Sequence, residues 1–138
     1  MTLTVPPDYR PSDDEPFMNE LMQEYFRQKL LDWKDDLLRE ANATLQNLQH
    51  ENIKSSDDAD RASAETDRSV ELRTRDRARK LITKIDDALM RIEDASYGYC
   101  EETGEPIGVK RLEARPVATL SLEAQERHER LEKTQRDD

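Results

Sequence analysis

The chain has 138 residues, of which 39% are charged, 34% hydrophobic and 5% aromatic. Because a typical globular domain is nearly half apolar, we do not expect one compact core that uses the whole chain. The formal net charge of -10 argues against binding to nucleic acid, since phosphates would repel the protein. No run of about 18 apolar residues occurs, so a membrane-spanning helix is not predicted. The lone Cys100 excludes an internal disulfide and fits a reducing cytoplasm, and the first residues do not resemble a signal peptide.

The first 95 residues are predicted to form a flexible N-terminal tail, residues 1–16, and a long antiparallel coiled-coil hairpin, residues 17–95. Prolines block helix formation in the tail. The two arms, from about Met18 to Gln49 and from about Arg61 to Asp94, carry apolar residues at helical spacing. These apolar positions are Phe26, Leu30, Trp33, Leu37, Ala41, Leu45 and Leu48 in the first arm, and Ala78, Leu81, Ile85, Ala88 or Leu89, and Ile92 in the second. The short polar connection places the tip of the hairpin near residues 51–62.

After the hairpin, the sequence predicts a small globular domain over residues 96–121 and a C-terminal helix within residues 122–138. Ile107 and Val109 are expected to form one short strand, and Val117 and Leu120 a second. Ser121 is a residue type that caps helices, so the last helix is expected from Leu122 to about Lys133. The predicted fold class is therefore mainly α.

Acidic residues cluster at the predicted tip, where Asp57, Asp58, Asp60, Glu65 and Asp67 are opposed only by Arg61. One interpretation is a solvated turn that caps the second helix. The other is a set of carboxylates that a long support presents to a metal ion or to basic groups of a partner. The residues themselves leave both interpretations open.

The second arm also carries a basic stretch, residues 68–84, in which seven basic and two acidic residues give a local balance of +5. This stretch is either a solvated face that pairs with the acidic first arm, or a docking surface for an acidic protein or a phosphate-rich nucleotide. Both interpretations are compatible with the sequence.

Catalytic and metal-binding patterns are weak in this chain. Cys100, His50 and His128 are too few to build an ordinary zinc site, which needs about four ligands. No arrangement of a nucleophile with a base and no glycine-rich phosphate loop is visible, so we do not expect an enzyme. Cys100 is expected to be a small, partly buried side chain, and His128 a surface residue of the last helix.

Two motifs resemble signature sequences of the DksA/TraR family. The first is YGYCEETGEPIGVKRLEARP from Tyr97 to Pro116, and the second is LRTRDRARKLI from Leu72 to Ile82. Residues 17–20, FMNE, match the start of the family's first arm. The resemblance spans roughly residues 16–134, and together these motifs are highly specific.

The resemblance implies a non-enzymatic transcription regulator that binds bacterial RNA polymerase in its secondary channel and does not bind DNA. With the nucleotide ppGpp, such proteins inhibit ribosomal RNA promoters and activate some promoters of amino-acid biosynthesis. The family's active tip positions correspond to Asp57, Asp60 and Ala62. Its polymerase-binding positions correspond to Arg77 and Lys84. A cytoplasmic monomer without membrane association is expected.

The family's ppGpp contacts are matched by Lys84 and Arg115, whereas Gln125 stands at a third position that is basic in the family. Two other functions remain as alternatives. One is a Gre-like stimulator of transcript cleavage, whose acidic tip helps to hold a catalytic magnesium ion. The other is a structural coiled-coil adaptor that self-associates through its apolar seam.

Most family members hold zinc with two pairs of cysteines. Here those four positions are Cys100, Thr103, Ser121 and Ala124, so three of the four ligands are missing. The chain resembles the family's zinc-independent, single-cysteine type, and the globular part is expected to be a degenerate zinc-finger-like domain without a metal cofactor. Packing and hydrogen bonds, including those of the Thr103 and Ser121 hydroxyls, are expected to stabilise it.

Overall fold

The computed structural model describes residues 3–54 and 58–137, with side chains described outside residues 44–45, 47–64 and 136–137. Its helices are α1 (Glu20–Lys54), α2 (Asp58–Glu93), α3 (Val109–Ala114) and α4 (Leu122–Asp137). The chain divides into two compact units. Unit 1 comprises Met1–Leu30 and Asp87–Asp138, and unit 2 comprises Leu31–Asp86. In the described part of the chain, no helix is both long and apolar enough to cross a membrane.

Unit 2 contains parts of both long helices, which contact each other. Lys34 Nζ of α1 lies 2.7 Å from Asp86 Oδ1 of α2. Because only residues 55–57 separate the helices in sequence, a contact between the first half of α1 and the last half of α2 requires that they run antiparallel. Leu37 and Ile85 are buried in this unit, at positions of the predicted apolar stripes. The predicted mainly α fold with an antiparallel helical hairpin is therefore confirmed.

The core of unit 1 is built from four helices and the loops between them. Phe26 of α1 packs against Tyr97, with ring centroids 5.8 Å apart. Burying large apolar side chains such as these contributes about 1.5–3 kcal/mol each. The buried apolar residues of this unit include Met22, Phe26, Leu30, Ala88, Ile92, Tyr97, Leu112 and Ala124.

Asn19 determines where α1 begins. Its Oδ1 accepts a hydrogen bond of 2.9 Å from the backbone N–H of Met22, which has no partner within the helix. Met18 has a left-handed φ of 57°, so it lies outside the helix. The helix therefore starts at Glu20 rather than near Met18.

The end of α2 is a Schellman motif, in which a left-handed residue closes the helix. Ala95 has a φ of 67°. The Ser96 N–H donates to Arg91 O at 2.9 Å, and the Ala95 N–H donates to Ile92 O at 3.3 Å. The last helical carbonyls are thereby satisfied, and the helix ends at Glu93.

The prediction of two short strands is wrong for the described residues. The only β interaction there is an isolated bridge between Tyr99 and Pro106. Val109 instead begins the short helix α3, which buries Val109 and Leu112 on one face. The β-branched residues favour a strand locally, but this burial at a spacing of three residues favours a helix.

The start of α4 follows the sequence. Ser121 Oγ accepts a hydrogen bond of 3.2 Å from the backbone N–H of Ala124, as expected of an N-cap. The helix continues to Asp137, beyond the expected end near Lys133.

The N-terminal segment makes defined contacts although it contains no helix or strand over residues 3–19. The Tyr9 hydroxyl donates a hydrogen bond to Glu15 Oε1. The Tyr9 ring meets the Tyr25 ring of α1 edge-on, with centroids 5.7 Å apart. Its predicted flexibility stays a prediction, but prolines alone did not indicate these contacts with α1.

Replacing Gly98 with alanine is expected to destabilise the protein. Gly98 has a φ of +92°, and a Cβ there would lie 3.0 Å from Met18 Cε and 3.2 Å from Phe17 Cζ. Backbone strain and crowding together should lower the free energy of unfolding by about 2 kcal/mol, measured by urea denaturation.

Gly104→Ala is the matched control for this prediction. Gly104 has a φ of +74°, but a Cβ there would have nothing within 4 Å. The free energy of unfolding of Gly104→Ala should therefore fall only by the cost of backbone strain, about 1 kcal/mol. Equal losses in the two variants would contradict the role of the close packing at Gly98.

Candidate functional site

The predicted tip residues lie largely outside the part of the chain that the structure describes. Asp57 is outside the described residues. Asp60 and Ala62 lie near the start of α2, which begins at Asp58, but their side chains are not described. The expected roles of these three residues therefore stay predictions.

The basic stretch of α2 is presented largely to solvent. Arg77 and Lys84 are exposed, as are most of its other basic residues. In the described residues of unit 2, the ion pair between α1 and α2 joins Lys34 to Asp86, and none joins the basic stretch to α1. Among the described side chains, these cations therefore form no ion pair with the acidic first helix, which is compatible with the interpretation of the stretch as a docking surface.

Arg115 lies in unit 1, whereas Lys84 belongs to unit 2. Arg115 is exposed and lines a surface cavity of about 460 Å³. Lys110 and Arg111 line the same cavity, and Asp13 is its one acidic lining residue. Three basic residues therefore line this cavity, of which Arg111 also donates a hydrogen bond of 3.0 Å from Nε to Leu120 O. Guanidinium groups can bind phosphate through paired hydrogen bonds.

Lys29 connects α1 to the last turn of α3. Its Nζ lies 3.0 Å from Glu113 O and 2.7 Å from Glu113 Oε2. Burial raises the pKa of the Glu113 carboxyl, but its hydrogen bonds with Lys29 and Tyr25 and the charges of Lys29 and Arg10 lower that pKa below its usual value. Burial and the adjacent Glu113 carboxylate in turn raise the pKa of Tyr25 to about 12.

Sequence reasoning did not find this cluster. Lys29 and Glu113 are separated by 84 positions, and neither belongs to an apolar stripe or a spacing pattern. A local signal exists only for the helix end, because a cation is stabilising near the last carbonyls of a helix. The identity of that cation depends on the tertiary fold.

The four positions that correspond to the family's zinc ligands lie in one small region of unit 1. Cys100 and Ala124 are buried. The Thr103 hydroxyl accepts a hydrogen bond of 3.2 Å from the Glu105 N–H. Ser121 caps α4 through its hydroxyl. Both hydroxyls therefore have hydrogen-bonding roles of their own.

The donor set at these positions does not fit zinc. A structural zinc site takes four nitrogen or sulfur ligands, but here one thiol is joined by two hydroxyls and a methyl group. Within the ranges that the structure describes, no group of three or more His, Cys, Asp or Glu side chains is arranged to hold a metal ion.

Hydrogen-bond donors surround the Cys100 sulfur instead. Burial raises the pKa of its thiol, but donors from the Thr103 hydroxyl and from the backbone N–H groups of Ser121, Thr103 and Glu102 lower that pKa to about 6.

The last helix is joined to the preceding loop by charged groups. The Glu102 carboxylate contacts the His128 ring and lies 3.9 Å from Arg127 Nη1. His128 is exposed, as predicted. Gln125 donates a hydrogen bond of 3.3 Å to Glu129 on the same helix.

Comparison with known proteins identifies the family to which these features belong. The sequence model of the family described as "DnaK suppressor protein DksA, N-terminal domain" matches residues 22–92. The "Prokaryotic dksA/traR C4-type zinc finger" matches residues 95–130. The chain therefore belongs to the DksA family, as the sequence motifs predicted.

Relatives in that family are similar over most of this chain. A protein of Caulobacter vibrioides (strain NA1000 / CB15N), named "RNA polymerase-binding transcription factor DksA", is 69% identical over 131 residues, covering 95% of this chain and 92% of that protein. The protein of the same name from Escherichia coli (strain K12) is 44% identical over 115 residues, covering 83% and 76%. The solved structure of transcription factor DksA2 from Pseudomonas aeruginosa is 42% identical with a TM-score of 0.80, covering 87% of this chain and 95% of that chain.

The Glu113 carboxylate is expected to stabilise the protein in a pH-dependent way. Because its pKa is lower in the folded state than in the unfolded chain, the stabilisation is fully present above the unfolded value of about 4.3. It is lost as the pH falls through the lowered folded pKa. At pH 7 the free energy of unfolding of the wild-type protein should exceed that of Glu113→Gln by about 0.5–1 kcal/mol. The difference is modest because Lys29 and Glu113 are both partly exposed to solvent.

The measurement is urea denaturation of both variants between pH 7 and pH 3. The stability difference should shrink towards acid pH. In a Lys29→Met background, which lacks the ion pair, the difference at pH 7 should be smaller, because only the Tyr25 hydrogen bond and the Arg10 charge still act on the carboxylate. A difference that is constant with pH would contradict the ionic role of Glu113.

Proposed function

We propose that this protein is a non-enzymatic cytoplasmic transcription regulator that binds bacterial RNA polymerase in its secondary channel and acts together with ppGpp. The observation that carries the proposal is the 69% identity, over 95% of this chain, to a relative named as an RNA polymerase-binding transcription factor. The exposed cations of α2 support it, because they supply a surface for an acidic protein partner. The expected outcomes are inhibition of ribosomal RNA promoters and activation of some promoters of amino-acid biosynthesis.

Docking and activity are assigned to different parts of the chain in this proposal. Arg77 and Lys84, on the exposed basic stretch of α2, bind the polymerase. Asp57, Asp60 and Ala62, near the connection between the long helices, act after docking. Carboxylates at that place would lie near the basic residues and metal ions of the polymerase catalytic centre. They would interact with those positive charges, because carboxylate oxygens attract cations and bind hard metal ions.

The nucleotide ppGpp is proposed to bind through Lys84 and Arg115 when the protein is on the polymerase. Support comes from the cavity beside Arg115, where Lys110 and Arg111 add positive charge suited to a polyphosphate. Gln125 cannot supply a charge to the same ligand. Direct DNA binding is not proposed, because the net charge is -10. We expect a monomer that does not associate with membranes.

Zinc independence is part of the proposal. Thr103 and Ser121 form hydrogen bonds where the family's zinc-binding members have cysteines, and Ala124 contributes a buried methyl group to the core. Packing and hydrogen bonding then stabilise this region without metal. The protein is expected to keep its fold under zinc starvation.

The two alternative functions are separated by direct assays. Stimulated cleavage of RNA in backtracked polymerase complexes would identify a Gre-like factor. A dimer in light scattering would identify a self-associating adaptor. We expect neither cleavage stimulation nor a dimer.

Asp60→Asn is expected to abolish inhibition of a ribosomal RNA promoter while polymerase affinity changes by less than about twofold, roughly 0.4 kcal/mol. Transcription in vitro and competition binding, each with and without ppGpp, provide the two measurements. Asp36→Asn, which changes an exposed acidic residue of α1 outside the tip cluster, is the control and should retain inhibition. Loss of binding in proportion to loss of inhibition would contradict the separate role of the tip.

Arg77→Glu is expected to weaken binding to polymerase by about tenfold, roughly 1.4 kcal/mol, because it places a like charge against an acidic partner. The measurement is competition binding at two salt concentrations, since the loss should be smaller at high salt. Arg39→Glu reverses an exposed cation of α1 and serves as control. An equal loss in both variants would show that only net charge matters.

A zinc chelator is expected to leave the melting temperature of the purified protein unchanged, and metal analysis should find no stoichiometric zinc. The matched comparison is the triple variant T103C/S121C/A124C, which restores four cysteines and should bind zinc. Its melting temperature should fall when the chelator is added, because the metal then contributes to folding. Stoichiometric zinc in the wild-type protein would refute zinc independence.

A further inference from the structure

Arg115 is exposed, but its backbone is fixed from several directions. Its N–H donates to Arg111 O at 2.7 Å, and its carbonyl accepts from the Ala118 N–H at 3.0 Å. The next carbonyl along the chain, Pro116 O, accepts a buried hydrogen bond of 2.8 Å from the Tyr97 hydroxyl. The position of the Arg115 Cα is therefore determined by the fold, whereas its guanidinium remains available to a ligand.

Lys29 holds the chain on the N-terminal side of Arg115, just as Tyr97 holds it on the C-terminal side at Pro116. Its ammonium group reaches from α1 to both the backbone carbonyl and the side-chain carboxylate of Glu113, two residues before Arg115. A cation at this place also interacts favourably with the last carbonyls of α3. Lys29 itself is held near the Tyr25 ring, whose centroid lies 6.0 Å from Nζ.

The helix that carries Arg115 depends on such anchors. α3 has six residues, and a helix this short is not stable on its own. Its orientation is therefore set by tertiary contacts, namely the burial of Val109 and Leu112 and the contact from Lys29. Without the Lys29 ammonium, the Glu113 carboxylate loses its ion pair and keeps only the Tyr25 hydrogen bond and the weaker effect of the Arg10 charge.

We propose that Lys29 is a positioning residue for Arg115, whose ammonium group anchors the last turn of α3 so that the guanidinium is aligned for an anionic nucleotide. The inference rests on the proposed function, in which Arg115 contacts ppGpp. Alignment matters because paired hydrogen bonds between a guanidinium and a phosphate require a defined geometry, and small displacements weaken them. Lys29 does not touch the nucleotide and acts only through α3.

The test measures inhibition of a ribosomal RNA promoter by the full-length protein on RNA polymerase, over a range of ppGpp concentrations. Lys29→Met, which keeps the aliphatic stem, should raise the half-maximal ppGpp concentration about fivefold. The protein concentration needed for half-maximal inhibition without ppGpp should change by less than about twofold. Lys29→Arg, which keeps the cation, should restore a nearly normal ppGpp response.

Arg27→Met is the matched control. Arg27 lies on the same helix and in the same unit, but its ion pair of 3.3 Å is with Glu24 on α1 itself. This variant should respond normally to ppGpp. An equal rise in Arg27→Met and Lys29→Met would overturn the proposal, since it would reflect a general loss of stability. Failure of Lys29→Arg to restore the response would overturn it as well.

Arg115→Ala separates this inference from the proposed function. If Arg115→Ala weakens the ppGpp response and Lys29→Met does not, the positioning role is wrong and the proposed function stands. If Arg115→Ala has no effect, the ppGpp role of Arg115 is wrong and the positioning role falls with it. Should Lys29→Met fail to fold, Glu113→Gln weakens the same ion pair from its other side and should also raise the half-maximal ppGpp concentration. An unchanged response in Glu113→Gln would then overturn the proposal.

Discussion

Hydrogen bonds between two short segments, residues 97–107 and 116–121, hold together the part of unit 1 that follows the long helices. The Glu101 N–H of the first segment donates to Thr119 O of the second at 2.9 Å, and within the first segment the Ile107 N–H donates to Gly98 O at 2.8 Å. The Tyr97 hydroxyl adds a buried bond to Pro116 O. Because buried backbone groups are costly to leave unpaired, these bonds define one arrangement of the two segments. Both shorter helices, α3 and α4, start or end within a few residues of them.

Local charge rather than total charge characterises the surface of this protein. The chain as a whole carries -10, yet α2 exposes a basic stretch and three cations surround the cavity beside Arg115. Electrostatic attraction falls off within about 10 Å at moderate salt, so a partner experiences the nearest charges. A protein with a negative net charge can thus attract an anionic partner through clusters of its own basic residues.

The sequence predicts the long helices well because their signal is periodic and repeated. Phe26, Leu30 and Ile92 are buried as the apolar stripes require. The short elements were harder to predict. Residues 107–109 have the composition of a strand, but burial of Val109 together with Leu112 produced a helix. Contacts such as that between Lys29 and Glu113 span 84 positions and have no local pattern, so only the fold reveals them.

The family motifs predict a functional role for Arg115, but they do not indicate how that residue is supported. Arg115 is present in the motif, whereas the anchors on either side of it come from α1 and from Tyr97. The same motif indicated that three cysteines are missing. It did not indicate that Thr103 and Ser121 use their hydroxyls for backbone hydrogen bonds.

The left-handed alanine at the end of α2 makes this protein less stable than it would be with glycine at the same position. Ala95 adopts a φ of 67°, where a side chain costs roughly 1 kcal/mol that glycine avoids. Since Ala95 is exposed, no packing interaction offsets that cost. Natural proteins commonly retain such slightly destabilising residues, because selection removes only variants that fall below the stability needed for function. An engineer who wants a heat-resistant form therefore has a position to improve that is separate from Arg77, Lys84 and Arg115.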